Sequence, residues 1–170
     1  AEVGLADIRQ QVAVGVQHIT FGDPDFLNGP GHALRVLRAA HAEFPHLTFD
    51  FTTKVEHLLQ HQAHLPELAE MGVAFIVSAF EAVSDSILAR LQKGHTRTDM
   101  HTALQLTRQV GIPLQTTWMP FTPWTSLQDY LELLYWIRSH DLIQQVPPVQ
   151  MAIRMLVPPG SALLNPPVFD

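Results

Sequence analysis

Gln17-His18-Ile19-Thr20-Phe21-Gly22-Asp23-Pro24-Asp25-Phe26 begins as a β-prone run and ends as a loop. Ile, Thr and Phe favour a pleated strand, whereas Gly, Asp and Pro cannot continue a central strand without losing packing or hydrogen bonds. The stretch therefore predicts a strand whose C-terminal end carries a glycine and two acids. Ligands of α/β proteins gather at such ends, which makes Gly22, Asp23 and Asp25 the first candidates for function. The competing reading is that Gly and Pro turn the chain while the acids cap a helix.

The same unit recurs on either side of this stretch. Val3, Leu5, Ile8 and Val12 fall at helical spacing ahead of it, and Ala33, Leu34, Val36, Leu37, Ala40 and Phe44 follow Asn28-Gly29-Pro30 with the same period before Pro45 stops the helix. Leu47-Thr48-Phe49-Asp50-Phe51-Thr52 alternates as a strand should, with polar positions suited to a barrel lumen. A helical pattern over residues 54–71 is interrupted by Pro66, and Gly72 closes it before the apolar run Val73-Ala74-Phe75-Ile76-Val77-Ser78-Ala79, the composition of a buried parallel strand. Ser84 and Asp85 then start a short helix, and Asp99 starts a longer one reaching Gly111. A fourth strand is expected at residues 112–119, a helix capped by Thr125 and running to about His140, and a fifth strand at Gln150 to Leu156.

Strand, loop and helix in repetition call for a parallel sheet with right-handed crossovers. No Gly-x-Gly-x-x-Gly follows the first strand, which argues against a doubly wound dinucleotide fold. Loaded loops after all five expected strands instead point to an α/β fold of the partial TIM-type (β/α) barrel, with about five parallel strands and outer helices. A closed eight-stranded barrel needs about 250 residues, so 170 residues form an open partial barrel or part of a longer one. Residues 1–164 are expected to form that domain and residues 165–170 an irregular tail.

Composition narrows the function classes. The formal charge is -6 with only 10 Lys and Arg, scattered singly, so no basic surface for nucleic acid is expected. No apolar run approaches the length of a membrane span and no leader pattern opens the chain, so a cytoplasmic location is the expectation. Cysteine is absent, which removes disulfides, thiol nucleophiles and any thiolate-held iron-sulfur cluster from this chain.

Read together, the expected strand ends bring Gly22, Asp23 and Asp25 beside Thr52, Thr53 and Lys54, then Ser78 and Glu81, then Thr117, Thr122 and Trp124, then Arg154 and Gly160. Hydroxyls and carboxylates around one rim suit a small ligand carrying an amine, a carboxylate and a ribose. Glu81 follows a buried strand and needs a partner there. Lys54 has a competing reading as ordinary exposure at a helix start. His57, His61 and His64 have a spacing open to zinc, yet their helix is peripheral and broken by Pro66, so no metal site is expected. Trp118, Phe121 and Trp124 form an aromatic wall beside a ligand or else simple packing.

On these residues the chain resembles the core of radical S-adenosylmethionine enzymes, over roughly Val16 to Leu164. Phe21-Gly22-Asp23-Pro24-Asp25-Phe26 stands where that family usually has Gly-Gly-Glu, which implies that Gly22, Asp23 and Asp25 hold the methionine amine. Ser78 to Asp85 is similar to the motif that approaches the ribose and carboxylate, and Leu91-Gln92-Lys93-Gly94-His95-Thr96 to the segment that follows it. By the same resemblance Ser78, Glu81, Thr117 and Arg154 are cofactor-binding candidates, and Lys54 joins them by its place at a strand end. Members of the family hold a [4Fe-4S] cluster through Cys-x-x-x-Cys-x-x-Cys after their first barrel strand. With no cysteine here, the cluster is not expected in this chain, and S-adenosylmethionine and [4Fe-4S] belong to a full-length parent.

The resemblance thus implies a truncated domain lacking the first strand, inactive alone, from an enzyme acting on an unidentified small-molecule substrate. The exposed edge of the first visible strand would favour self-association. A noncatalytic small-ligand-binding or interaction module, or a fragment of another TIM-barrel enzyme, are the alternatives.

Overall fold

The computed structural model describes residues 2–161 and Leu164, and the tail expected at residues 165–170 lies outside the described residues. In chain order the elements are α1 (Glu2–Ala13), β1 (His18–Phe21), α2 (Pro30–Glu43), β2 (Thr48–Thr52), α3 (Val55–Gln60), α4 (Leu65–Glu70), β3 (Val73–Glu81), α5 (Asp85–Arg90), α6 (Arg97–Gln109), β4 (Leu114–Trp118) and α7 (Leu127–Ser139). The four strands form one sheet in the order β1-β2-β3-β4. Each strand thus pairs with the next in sequence, and β1 with β2 and β2 with β3 are parallel. A doubly wound sheet would reverse direction at some strand. The unbroken order is that of an open piece of a (β/α) barrel.

The chain divides into two compact units, one of residues up to 78 with 99–115 and the other of residues 79–98 with those from 116 on. The first is organised by phenylalanines pointing from alternate positions of β1 and β2. Phe49 and Phe51 are wholly buried. Phe26 stacks on Phe51 at 4.5 Å between centroids, and Phe21 stacks on Phe49 at 5.9 Å. The opposite face of the same strands carries His18, Thr20 and Thr48, all exposed. The alternation read in β2 is thus a real division into a helix-covered face and a polar open face.

The second unit has its own aromatic core. Phe80, Trp118 and Trp136 meet edge to face, with centroids 5.5, 5.8 and 5.4 Å apart pairwise. Trp118 is therefore core, not part of an aromatic wall beside a ligand. The helix α7 is started by Ser126, not by Thr125. Ser126 and Asp129 form a capping box, in which the Ser126 hydroxyl accepts from the Asp129 N–H and the Asp129 carboxylate accepts from the Ser126 N–H. The Thr125 hydroxyl is instead engaged with Thr122 at 2.8 Å.

The expected fifth strand does not form. Pro148–Ala152 is a 3-10 turn, and of Gln150 to Leu156 only Arg154 makes a parallel bridge, to Phe121. Two consecutive prolines lack N–H donors and favour the turn. Gln150 then uses its side-chain oxygen, 3.0 Å from the Trp118 N–H, to satisfy a donor that an adjoining strand would have taken. In the helical stretch over residues 54–71, the break falls at His61, with Pro66 in the first turn of α4, where a missing N–H costs nothing.

Candidate functional site

Asp25 is the most heavily engaged acid at the C-terminal end of β1. Its Oδ1 accepts from the Thr53 hydroxyl at 3.0 Å and from the Lys54 N–H at 3.2 Å. Its Oδ2 pairs with His57 Nδ1 at 2.8 Å and lies 3.6 Å from Lys54 Nζ. Its side chain is about one-tenth exposed. The carboxylate therefore ties the loop after β1 to the end of β2 and the first turn of α3. Burial by itself pushes the Asp25 carboxyl up, but the Lys54 N–H, the Thr53 hydroxyl and the charge of His57 outweigh it and hold it below the usual aspartate value.

Because that value is lowered in the folded state, Asp25 contributes stability fully at pH values above its unfolded pKa. The contribution is lost as pH falls through the folded value. Asp25→Ala is expected to cost about 2 kcal/mol at pH 7, the scale of hydrogen bonds to a charged group. The difference from wild type should shrink on acidification below about pH 4, as read by urea titrations across pH. A difference that stays constant down to pH 2.5 would contradict the assignment.

The other candidates of the first unit gather around this clamp. Asp23 Oδ1 accepts from the Asp25 N–H at 2.8 Å, a local turn contact, and neither acid caps the following 3-10 helix with its side chain. The helix-capping alternative for this loop is therefore set aside. Asp23 is exposed, and with Gly22, Phe21, Phe26, His32 and Val36 it lines a cavity of about 280 Å³. Ser78 is fully buried and donates its hydroxyl proton to the Thr53 carbonyl at 2.8 Å. Asp25, Thr53, Lys54 and Ser78 thus form one connected network, while the exposed Asp23 stands at its edge.

The second unit holds Glu81, Thr117 and Arg154. Glu81 ends β3 with φ 64°, and the Ala82 N–H bonds back to the Phe80 carbonyl at 2.8 Å. That is the rare, strained form of γ-turn, here built around a residue with a Cβ. Lys93 supplies the partner expected for this acid, with Nζ 3.1 Å from Glu81 Oε1. Strain of this kind persists where surrounding structure holds it, and here Met119 N–H on the Glu81 carbonyl at 2.9 Å and Lys93 on its carboxylate do so. Thr117 is half-buried on β4, and Arg154 is exposed at its bridge to Phe121. Arg90 lies over the Trp124 ring at 5.4 Å.

His57 and Lys93 are the partners that residue-by-residue reading did not assign. His57 lies in the first turns after β2, whose end carries Thr53 and Lys54, the other partners of Asp25, whereas Lys93 lies 12 residues beyond Glu81 on the same β3-to-α6 connection. The rings of His57, His61 and His64 are spaced 6.4 Å apart in succession. Among the described residues, no group of three His, Cys, Asp or Glu is disposed to hold a metal. With no cysteine in the chain either, these residues do not fit a [4Fe-4S] cluster. No described helix is long and apolar enough to cross a membrane.

No family model matches the sequence, and no curated protein does. Solved structures do match the fold. The radical S-adenosylmethionine methyltransferase TsrM from Kitasatospora setae superposes with a TM-score of 0.68 at 15% identity, over 81% of this chain and 26% of that one. The cobalamin-dependent S-adenosylmethionine radical enzyme OxsB gives 0.64 at 20% identity, over 78% of this chain and 21% of that one. Methylornithine synthase, PylB, gives 0.59 at 16% identity, over 81% and 40%. The chain spans less than half the length of each of these proteins. What is common to them at such identities is architecture, and the chain carries a fold that TsrM and OxsB, two radical S-adenosylmethionine enzymes, also have.

Proposed function

We propose that this chain is the cofactor-positioning part of a radical S-adenosylmethionine barrel, with the iron-sulfur cluster held by cysteines elsewhere in the parent polypeptide. The observation that carries the reading is the singly wound order β1-β2-β3-β4 with acids at the C-terminal ends of β1 and β3. In this reading Asp23, exposed beside the cavity, keeps acceptor capacity for the methionine amine, and Gly22 leaves the backbone open beside it. Asp25, Lys54 and Ser78 hold that loop in place. In the second unit, Glu81, fixed by Lys93, would offer acceptors to ribose hydroxyls, and Thr117 and Arg154 are the further candidates of that unit. When bound, the cluster would supply the electron for reductive cleavage of the cofactor. These residues bind and orient, and the chain alone is inactive.

Calorimetry tests this. S-adenosylmethionine is expected to give little heat with the 170-residue chain. A longer polypeptide that contains it together with a rebuilt cluster should give a saturable isotherm. In that longer protein, Asp23→Ala and Glu81→Ala should each weaken binding about tenfold, the loss of one charge-assisted hydrogen bond. Affinity unchanged in both variants would remove these roles.

The absence of cysteine favours a second reading, a noncatalytic small-ligand-binding module. Tight S-adenosylmethionine binding by the isolated chain, with no cluster present, would select it.

A further inference from the structure

We propose that Asp50, on the open face of the β1–β2 pair, is the anchor of a second binding position, one that takes a small molecule through an ammonium or other cationic N–H group. The neighbouring strands set it up. In register, Thr20 of β1 and Phe75 of β3 flank Asp50. The Thr20 hydroxyl donates to Asp50 Oδ1 at 2.5 Å, and His18 Nε2 lies 2.7 Å from the same oxygen. His18 Nδ1 is 2.7 Å from the Thr48 hydroxyl, and its ring stacks on Phe75 with centroids 5.9 Å apart and planes 17° from parallel. An ionised carboxylate only accepts, so His18 carries its proton on Nε2 and is held in one orientation.

Two features make this a receptor rather than only a tie between strands. Both hydrogen bonds fall on Oδ1, while Oδ2 has no hydrogen-bond partner among the described residues. The Asp50 side chain is also only 6% exposed, although His18, Thr20 and Thr48 around it are exposed. No Lys or Arg among the described residues pairs with it, and a carboxylate oxygen left without a protein donor accepts well from a cationic N–H group. Phe75 beside it offers a ring face to the apolar body or to the charge of such a ligand. The residues all belong to one unit and none is among the cofactor candidates. Calling the ligand a substrate rests on the radical-enzyme reading, whereas the position itself does not.

The experiment uses the isotope-labelled 170-residue chain and butylammonium chloride, with butanol and sodium butyrate as controls at matched ionic strength. Butylammonium is expected to produce saturable NMR shifts centred on the His18 ring, Thr20, the Asp50 carboxylate and Phe75. Asp50→Asn keeps acceptors for Thr20 and His18 but removes the charge, and should weaken the response about tenfold. Should that variant fail to fold, Thr20→Val keeps the charge, frees its orientation and should weaken the response about threefold. Equal shifts with butanol or butyrate, no saturation, or an undiminished response in the folded variant would overturn the proposal. Neither cofactor nor cluster enters the measurement, so its failure leaves the radical-enzyme reading standing, and the failure of that reading leaves this one.

Discussion

Phe51→Ala is expected to lower the unfolding free energy by about 3–5 kcal/mol, read by urea titration at pH 7. Phe51 has no exposed surface, and its ring stacks on Phe26 from the segment after β1. Its backbone is held on both sides, by Phe21 of β1 and Ile76 of β3. Strands fixed on either flank cannot close the space left by a lost ring, which places the cost toward the upper end of the range for buried aromatics. The same truncation at Phe121, 40% exposed, should cost far less, because little surface is returned to water. A loss below about 1 kcal/mol at Phe51 would mean that the two strands and the following 3-10 turn do not share one core.

Gly72→Ala is the second large effect, expected to cost at least about 2 kcal/mol. Gly72 ends α4 with φ 84°, a conformation that a Cβ disfavours. A Cβ built there would lie 2.7 Å from the Leu47 carbonyl oxygen, a backbone atom at the entrance to β2. Gly72 also gives its own carbonyl to the Phe49 N–H at 3.0 Å, so relief by moving the turn would break the pairing of β2 with β3. Gly111→Ala separates the two contributions. It has φ 76° but nothing within 4 Å of the added carbon, so it should cost only about 1 kcal/mol. Equal losses at the two positions would show that backbone strain alone sets the penalty.

Much of the architecture is legible in residue order. The apolar run of β3, the alternation of β2 and the glycines that end helices each determine a local structure, and their repetition determines parallel pairing. The fifth strand is not legible because Gln150 to Leu156 has strand composition, yet Pro147 and Pro148 and a side-chain amide satisfy the neighbouring backbone differently. At the site, sequence identifies Asp25 as an acid in a loop. Its partners lie about 30 residues away at the end of the next strand, and only the pairing of β1 with β2 brings them within reach. Asp50 is the converse case. Its polarity on a lumen-facing strand was evident, but its burial follows from three side chains on two other strands.

The boundaries of the two units fall between residues 78 and 79, 98 and 99, and 115 and 116. Each lies inside a regular element: β3, α6 and β4 in turn. Neither unit is therefore a continuous stretch of polypeptide, and no single cleavage releases one from the other. A gene truncated at any of these points would encode a chain with a severed strand or helix. A domain exchange that keeps either unit whole must therefore carry two separate stretches of chain.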